Sequence, residues 1–207
     1  GFGDNKKSKK KISLIQKNRH IKGNLIELAF KYHLKGETYN EAKCYEHLIN
    51  QGYSDYRVYN NYGAILKSFR KYRESEFYTR KALELKPDSH NAYYNLGCIF
   101  LDIKKFKEAE LYTRKALKLK SDFVDANYNL GFILRDLGKL EESESQLLKT
   151  IKLNSEYTKA YMILSTLNYS KDKATWIEKL FSKSILIGKT KLEKVDIYFS
   201  RSNVLHK

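Results

Sequence analysis

The chain has 207 residues, with 40 Lys or Arg against 24 Asp or Glu, a net charge of +16. No apolar run approaches the roughly 18 residues of a membrane-spanning helix, and no apolar segment of a secretory leader follows the basic N-terminus. Cys44 and Cys98 form no CxxC or zinc spacing, so neither a metal nor a disulfide framework is expected and a reduced, cytoplasmic setting fits.

Residues 1–21 read as a basic arm or leading helix, with KKSKKK at 6–11 its densest charge run. Such an arm attracts nucleic acid, an anionic membrane or an acidic partner, whereas the scattered lysines that follow read as a solvated surface. In residues 22–55, Leu25, Leu28, Ala29 and Tyr32 recur at helical spacing. A turn around Gly36 and Glu37 follows, and Ala42, Tyr45, Leu48 and Ile49 line a second helix.

From residue 56 the text repeats. Gly63, Gly97 and Gly131 are 34 residues apart, inside NNYGAIL, YNLGCIF and YNLGFIL. They are followed in step by ESEFYTRKALEL, EAELYTRKALKL and ESESQLLKTIKL. A fixed period of this length means one supersecondary unit stacked repeatedly, and binding is the expected use of the surface it builds. Tyr93, Leu96, Gly97 and Phe100 share one helix face, with Ala109, Ala116 and Leu117 on the facing helix. Glycine costs about 1 kcal/mol of helix propensity relative to alanine, so its recurrence predicts close approach of the partner helix. Residues 158–169 begin a further first helix with Tyr161, Leu164, Ser165 and Asn168. The pattern lapses through YSKDKATW, residues 176–187 predict a replacement second helix led by Trp176, and another first helix after IGKTKLEK carries Tyr198, Ser202 and Leu205.

This pattern resembles the tetratricopeptide repeat. In residues 90–123 its positions are Tyr93, Leu96, Gly97, Phe100, Ala109, Thr113, Ala116 and Ser121. Thr79 and Thr113 at the second aromatic, Ser121 and Ser155 at the Pro site and Asn127 at the first large residue depart from the pattern, and these departures are expected to weaken single contacts, while Ser75 and Ser143 stand at the first Ala position. The resemblance implies an all-α fold, a right-handed α-solenoid of antiparallel helix-turn-helix repeats. The repeats are 22–55, 56–89, 90–123, 124–157 and a helix A at 158–169, followed by an irregular helical region with a truncated further repeat at 170–207. That last stretch is similar to the linker of bacterial proteins in which such repeats precede a sulfotransferase domain. The sulfotransferase phosphate loop is absent, and the unpartnered final apolar stripe leads us to expect part of a longer protein. A scaffold ahead of a downstream enzyme is therefore one alternative, and a basic solenoid on nucleic acid is another.

By the same resemblance, helix A lines the concave face. The positions facing it are Arg57, Asn60, Asn61, Ala64, Lys67 and Ser68, then Asn91, Tyr94, Asn95, Cys98, Leu101 and Asp102. The third set is Asp125, Tyr128, Asn129, Phe132, Arg135 and Asp136, with Lys159, Met162, Ile163, Thr166 and Tyr169 from the next helix. Asn61, Asn95 and Asn129 share one register, and an amide with two donors and an acceptor suits the backbone of an extended peptide. Tyr94 and Tyr128 add rigid apolar area, and Lys67 and Arg135 can pair with carboxylates. The family's carboxylate clamp is missing in this register, where Asn60, Ala64, Asp125 and Asn129 stand. The five histidines fall at unrelated positions, with no HExxH, no Gly-rich phosphate loop and no nucleophile set. The expected function is a non-catalytic scaffold for a protein or peptide ligand, without cofactor.

Overall fold

The computed structural model describes residues 23–167 and 173–206, with backbone alone at 173–175. No strand occurs among them. The helices are α1 (23–34), α2 (Thr38–Asn50), α3 (Tyr56–Ser68), α4 (Tyr72–Leu85), α5 (His90–Asp102) and α6 (Phe106–Leu119). They continue as α7 (Val124–Asp136), α8 (Leu140–Leu153), α9 (Thr158–Thr166), α10 (Lys173–Phe181) and α11 (Lys191–Leu205), with a 3-10 turn at Ser184–Leu186. The fold is a succession of helix-turn-helix pairs. The chain divides into two compact units between Asp88 and Ser89, the first holding α1–α4 and the second α5–α11.

The turns inside the first four pairs are built alike. After α3, the Arg70 N–H donates to the Lys67 carbonyl (2.8 Å) and the Lys71 N–H to Leu66 (2.9 Å). The same two bonds close the turns after α1, α5 and α7, through Gly36 and Glu37, Lys104 and Lys105, and Gly138 and Lys139. This helix-ending motif needs a left-handed residue. Gly36 and Gly138 supply it readily, whereas Arg70 and Lys104 hold φ of 59° despite carrying a Cβ.

The repeated glycines in helix A mark where the paired helix touches. A Cβ on Gly63 would lie 2.5 Å from Thr79 Oγ1, one on Gly97 2.5 Å from Thr113 Oγ1, and one on Gly131 2.7 Å from Leu147 Cγ. The substituted positions turn out to serve this contact. Ser75 and Ser143, where the pattern has Ala, each donate a hydroxyl to the carbonyl of the facing glycine, Gly63 (2.6 Å) and Gly131 (2.7 Å). Asn127 is fully buried and its amide donates to the carbonyls of Ser121 (3.1 Å) and Phe123 (2.9 Å), fastening the loop that leads into α7. Tyr161, one period later, does the same through its hydroxyl to Ser155 (3.0 Å).

The residue that opens each helix A also follows the register: Asp55, Ser89, Phe123 and Tyr157. Asp55 and Ser89 cap α3 and α5 by accepting the N–H of Arg57 and Ala92, as short polar residues do. Phe123 and Tyr157 make no such cap. Their rings instead meet Tyr94 and Tyr128, at centroid distances of 4.7 and 5.0 Å.

The C-terminal end departs from the prediction. The expected helix at 176–187 is α10, which starts earlier and stops at Phe181. The segment expected as a further helix A is α11, and α9 packs against it more extensively than against α8. The reason lies at the glycine register: Ser165 stands there, buried, and its hydroxyl accepts the Asn203 amide of α11 at 3.2 Å. Arg201 of α11 then donates to the Leu180 (2.9 Å) and Ser182 (3.0 Å) carbonyls at the end of α10. Trp176, Leu180, Ile185 and Ile197 complete the core of this end with Tyr161 and Leu164.

Candidate functional site

Each unit carries a cleft beside its helix-A residues. In the first unit, a cleft of about 470 Å³ is walled by Phe30 and His33 of α1, Glu41 and Tyr45 of α2, and Asn61 and Ile65 of α3. Two hydrogen bonds set its polar wall. The Asn61 amide donates to the Tyr45 hydroxyl at 3.2 Å, and Asn61 Oδ1 accepts the Asn60 amide at 3.4 Å. Glu41, only 5% exposed, holds His33 Nδ1 at 3.2 Å. Burial raises the Tyr45 phenol above its ordinary pKa, so the hydroxyl stays protonated.

In the second unit, a cleft of about 350 Å³ is lined by Leu101 and Asp102 of α5, Phe106 of α6, and Tyr128, Asn129 and Phe132 of α7, with Lys104 and Asp136 at its edge. The Asn129 amide reaches back to Cys98 Sγ at 3.3 Å. Arg135 lies over the Phe132 ring, 4.4 Å from its centroid, and donates twice to Asp136 Oδ1 (2.7 and 2.9 Å). Tyr157 donates its hydroxyl to Asp125 at 2.9 Å. Burial, and then the neighbouring Cys98, push the Tyr94 phenol far above its ordinary pKa.

Of the seven residues predicted for ligand contact, Asn61 lines the first cleft and Tyr128 and Asn129 line the second. Arg135 borders the second cleft through Asp136 and Phe132. Lys67, Tyr94 and Asn95 are half-buried and lie outside both linings. Tyr94 and Tyr128 are half-buried, each with its ring tilted against the aromatic residue that opens the following helix A. Three other positions expected to face the groove are buried: Asn60, Cys98 and Ile163, the last at 1% exposure within the C-terminal core. Tyr169 and the KKSKKK arm lie outside the described residues. Phe30 and His33 were missed, although they occupy the registers of Ala64 and Lys67 one period earlier, and carrying the period of 34 back into α1 finds both. Glu41, Tyr45 and Phe106 belong to helix B and had no such signal.

Among the described residues, no group of three or more His, Cys, Asp or Glu side chains could hold a metal ion. No helix among them is long and apolar enough to cross a membrane.

Residues 90–123 match one tetratricopeptide repeat profile, and residues 56–89 and 124–157 match a second. These are tetratricopeptide repeats. Solved structures of tetratricopeptide proteins superpose on most of the chain. YrrB, described as a TPR protein with an unusual peptide-binding site, aligns with a TM-score of 0.64 at 20% identity, covering 94% of this chain and 95% of that one. MamA from Desulfovibrio magneticus RS-1, residue 41 to the end, aligns with a TM-score of 0.65 at 18% identity, covering 88% of this chain and 96% of that one. Identities this low carry the fold alone. Comparison with curated proteins gives no match.

Proposed function

We propose that this tetratricopeptide chain is a non-catalytic interaction module that holds an extended protein segment against its helix-A residues. The observation that carries the reading is the recurrence of one asparagine register in a cleft wall of both units. Asn61 stands in the wall of the first cleft, hydrogen-bonded to the Tyr45 hydroxyl, and Asn129 stands in the wall of the second, hydrogen-bonded to Cys98 and next to Tyr128. An amide has two N–H groups and an oxygen with two lone pairs. The Tyr45 and Cys98 bonds each use one N–H, so each amide keeps a second donor for a peptide carbonyl while the first fixes its orientation. Asn95 completes the set by register. The apolar walls (Phe30 and Ile65 in one cleft, Leu101 and Phe132 in the other) would each take an apolar side chain of such a segment. Lys67 and Arg135 would pair with its carboxylates, Arg135 at the cost of its bond to Asp136. The described neighbour with a peptide-binding site on the same fold supports the class of ligand. Two buried thiols, Cys44 and Cys98, fit a reducing cytoplasm.

The test is a fixed array of random-sequence peptides probed with the whole chain, followed by titration of the best binder. Replacing Asn61, Asn95 and Asn129 together by alanine should leave the far-ultraviolet helix signal in place and weaken that peptide about tenfold or more, the loss of two to three net hydrogen bonds. Binding that survives the triple change removes the asparagines from the interface.

A further inference from the structure

The second unit contains a trough that the reading above does not use. It opens between α8, α9 and α10, has a volume of about 460 Å³, and is walled by Leu148, Ile151, Tyr161 and Trp176. Lys152 and Lys179 stand at its rim, with Ser155 between α8 and α9. The repeat register shows where the apolar wall comes from. Leu148 replaces Arg114 of the preceding repeat, and there the arginine is held by Glu110 at 2.9 Å. The short α10, nine residues against fourteen in α6 and α8, accompanies this change.

The charge at the rim is one-sided. Lys152 forms no ion pair among the described residues and is exposed. Lys179 is 3.0 Å from Glu156, and Lys189 lies 3.4 Å from that carboxylate and 3.6 Å from Glu193, so three lysines face two glutamates and one positive charge is left over. The wall also holds an unmet donor. Trp176 is 3% exposed, and its indole N–H is shielded from water with no acceptor. A buried donor of this kind costs about 1–3 kcal/mol until an acceptor arrives.

We propose that this trough binds an apolar molecule bearing a carboxylate, its hydrocarbon part against Leu148, Ile151, Tyr161 and Trp176 and its anionic oxygens toward Lys152. The volume suits a small ligand. Apolar walls select the body, and a cation without a partner selects the charge. The same chemistry is presented by a free short-chain carboxylate or by the C-terminal residue of an apolar peptide.

Trp176 is the only tryptophan in the chain, so its emission reports on this site alone. Octanoate titrated into the whole protein should change that emission saturably, with heat released in parallel calorimetry. Octanol, equal in chain length but uncharged, should bind about tenfold more weakly, and Lys152→Ala should bring octanoate down to the octanol level, as loss of one charge-assisted bond requires. A short peptide ending in leucine, with a free or amidated terminus, identifies the source. Preference for octanoate assigns a free carboxylate, and preference for the unamidated peptide assigns a chain end. Equal binding of octanoate and octanol, an unchanged affinity in Lys152→Ala, or no saturable signal by either method with any of the four probes overturns the proposal. The array peptide of the preceding section, bound normally by Lys152→Ala, keeps the two sites distinguishable.

Discussion

Residues 90–157 and residues 158–206 lie in one compact unit and answer the same packing problem differently. In the first region, helix A presents Gly97 or Gly131, and the paired helix comes so near that no Cβ fits. In the second, Ser165 occupies that register, and α9 takes α11 as its main partner through the Ser165–Asn203 hydrogen bond. One position thus separates a contact made by shape from a contact made by polarity. The shape contact repeats, because any copy of the sequence reproduces it. The polar contact does not, because it needs a particular amide 38 residues away.

The comparison can be broken most sharply at Gly97. Gly97→Ala gains about 1 kcal/mol of helix propensity but places a Cβ against Thr113, and a net loss of about 2 kcal/mol is expected in urea denaturation followed by circular dichroism. Adding Thr113→Ala removes the opposing hydroxyl and should return much of that loss, which a double-mutant cycle will show. A smaller effect is expected at the other region. Arg201→Ala deletes two charge-assisted bonds to the Leu180 and Ser182 carbonyls and should cost about 1.5 kcal/mol. Its signature is a shift in Trp176 emission ahead of the main loss of helix, since α10 is released first. The turns sharpen the contrast in the opposite direction. Lys104→Gly relieves a left-handed residue and should stabilise by about 0.5–1 kcal/mol, whereas Gly138→Lys should lose a similar amount.

The smallest effect is pH-dependent. A hydrogen bond from Lys179, followed by the charges of Lys179 and Lys189, lowers the Glu156 pKa below its ordinary 4.5. A carboxylate lowered in the folded state contributes stability that is present above 4.5 and lost as pH falls through the folded value. Glu156→Gln should therefore flatten the acid limb of a thermal-melting profile below 4.5, by less than about 1 kcal/mol because the pair is partly exposed.

The helix pairs, their turns and the reason for the glycines were all legible in the sequence, since each is stated three times over at a spacing of 34. The exchange of α10 for α11 was not, because Asn203 carries no mark that joins it to Ser165. The ring partners of Tyr94 and Tyr128 were hidden for a different reason. Tyr94 and Tyr128 occupy positions that the family turns toward the groove. Those partners, Phe123 and Tyr157, stand where local logic asks for a polar helix cap, so nothing in the sequence marks them as neighbours. At Phe30 and His33 the period was present and simply had to be carried one repeat further back.

Those ring pairs also bear on how the array can grow. Tyr94 and Phe123 fall inside residues 90–123, and Tyr128 and Tyr157 inside residues 124–157, as do Gly97 with Thr113 and Gly131 with Leu147. Each stretch is therefore a cassette that brings its own ring pair and its own helix contact, so a tandem duplication cut at either boundary lengthens the array without orphaning a partner.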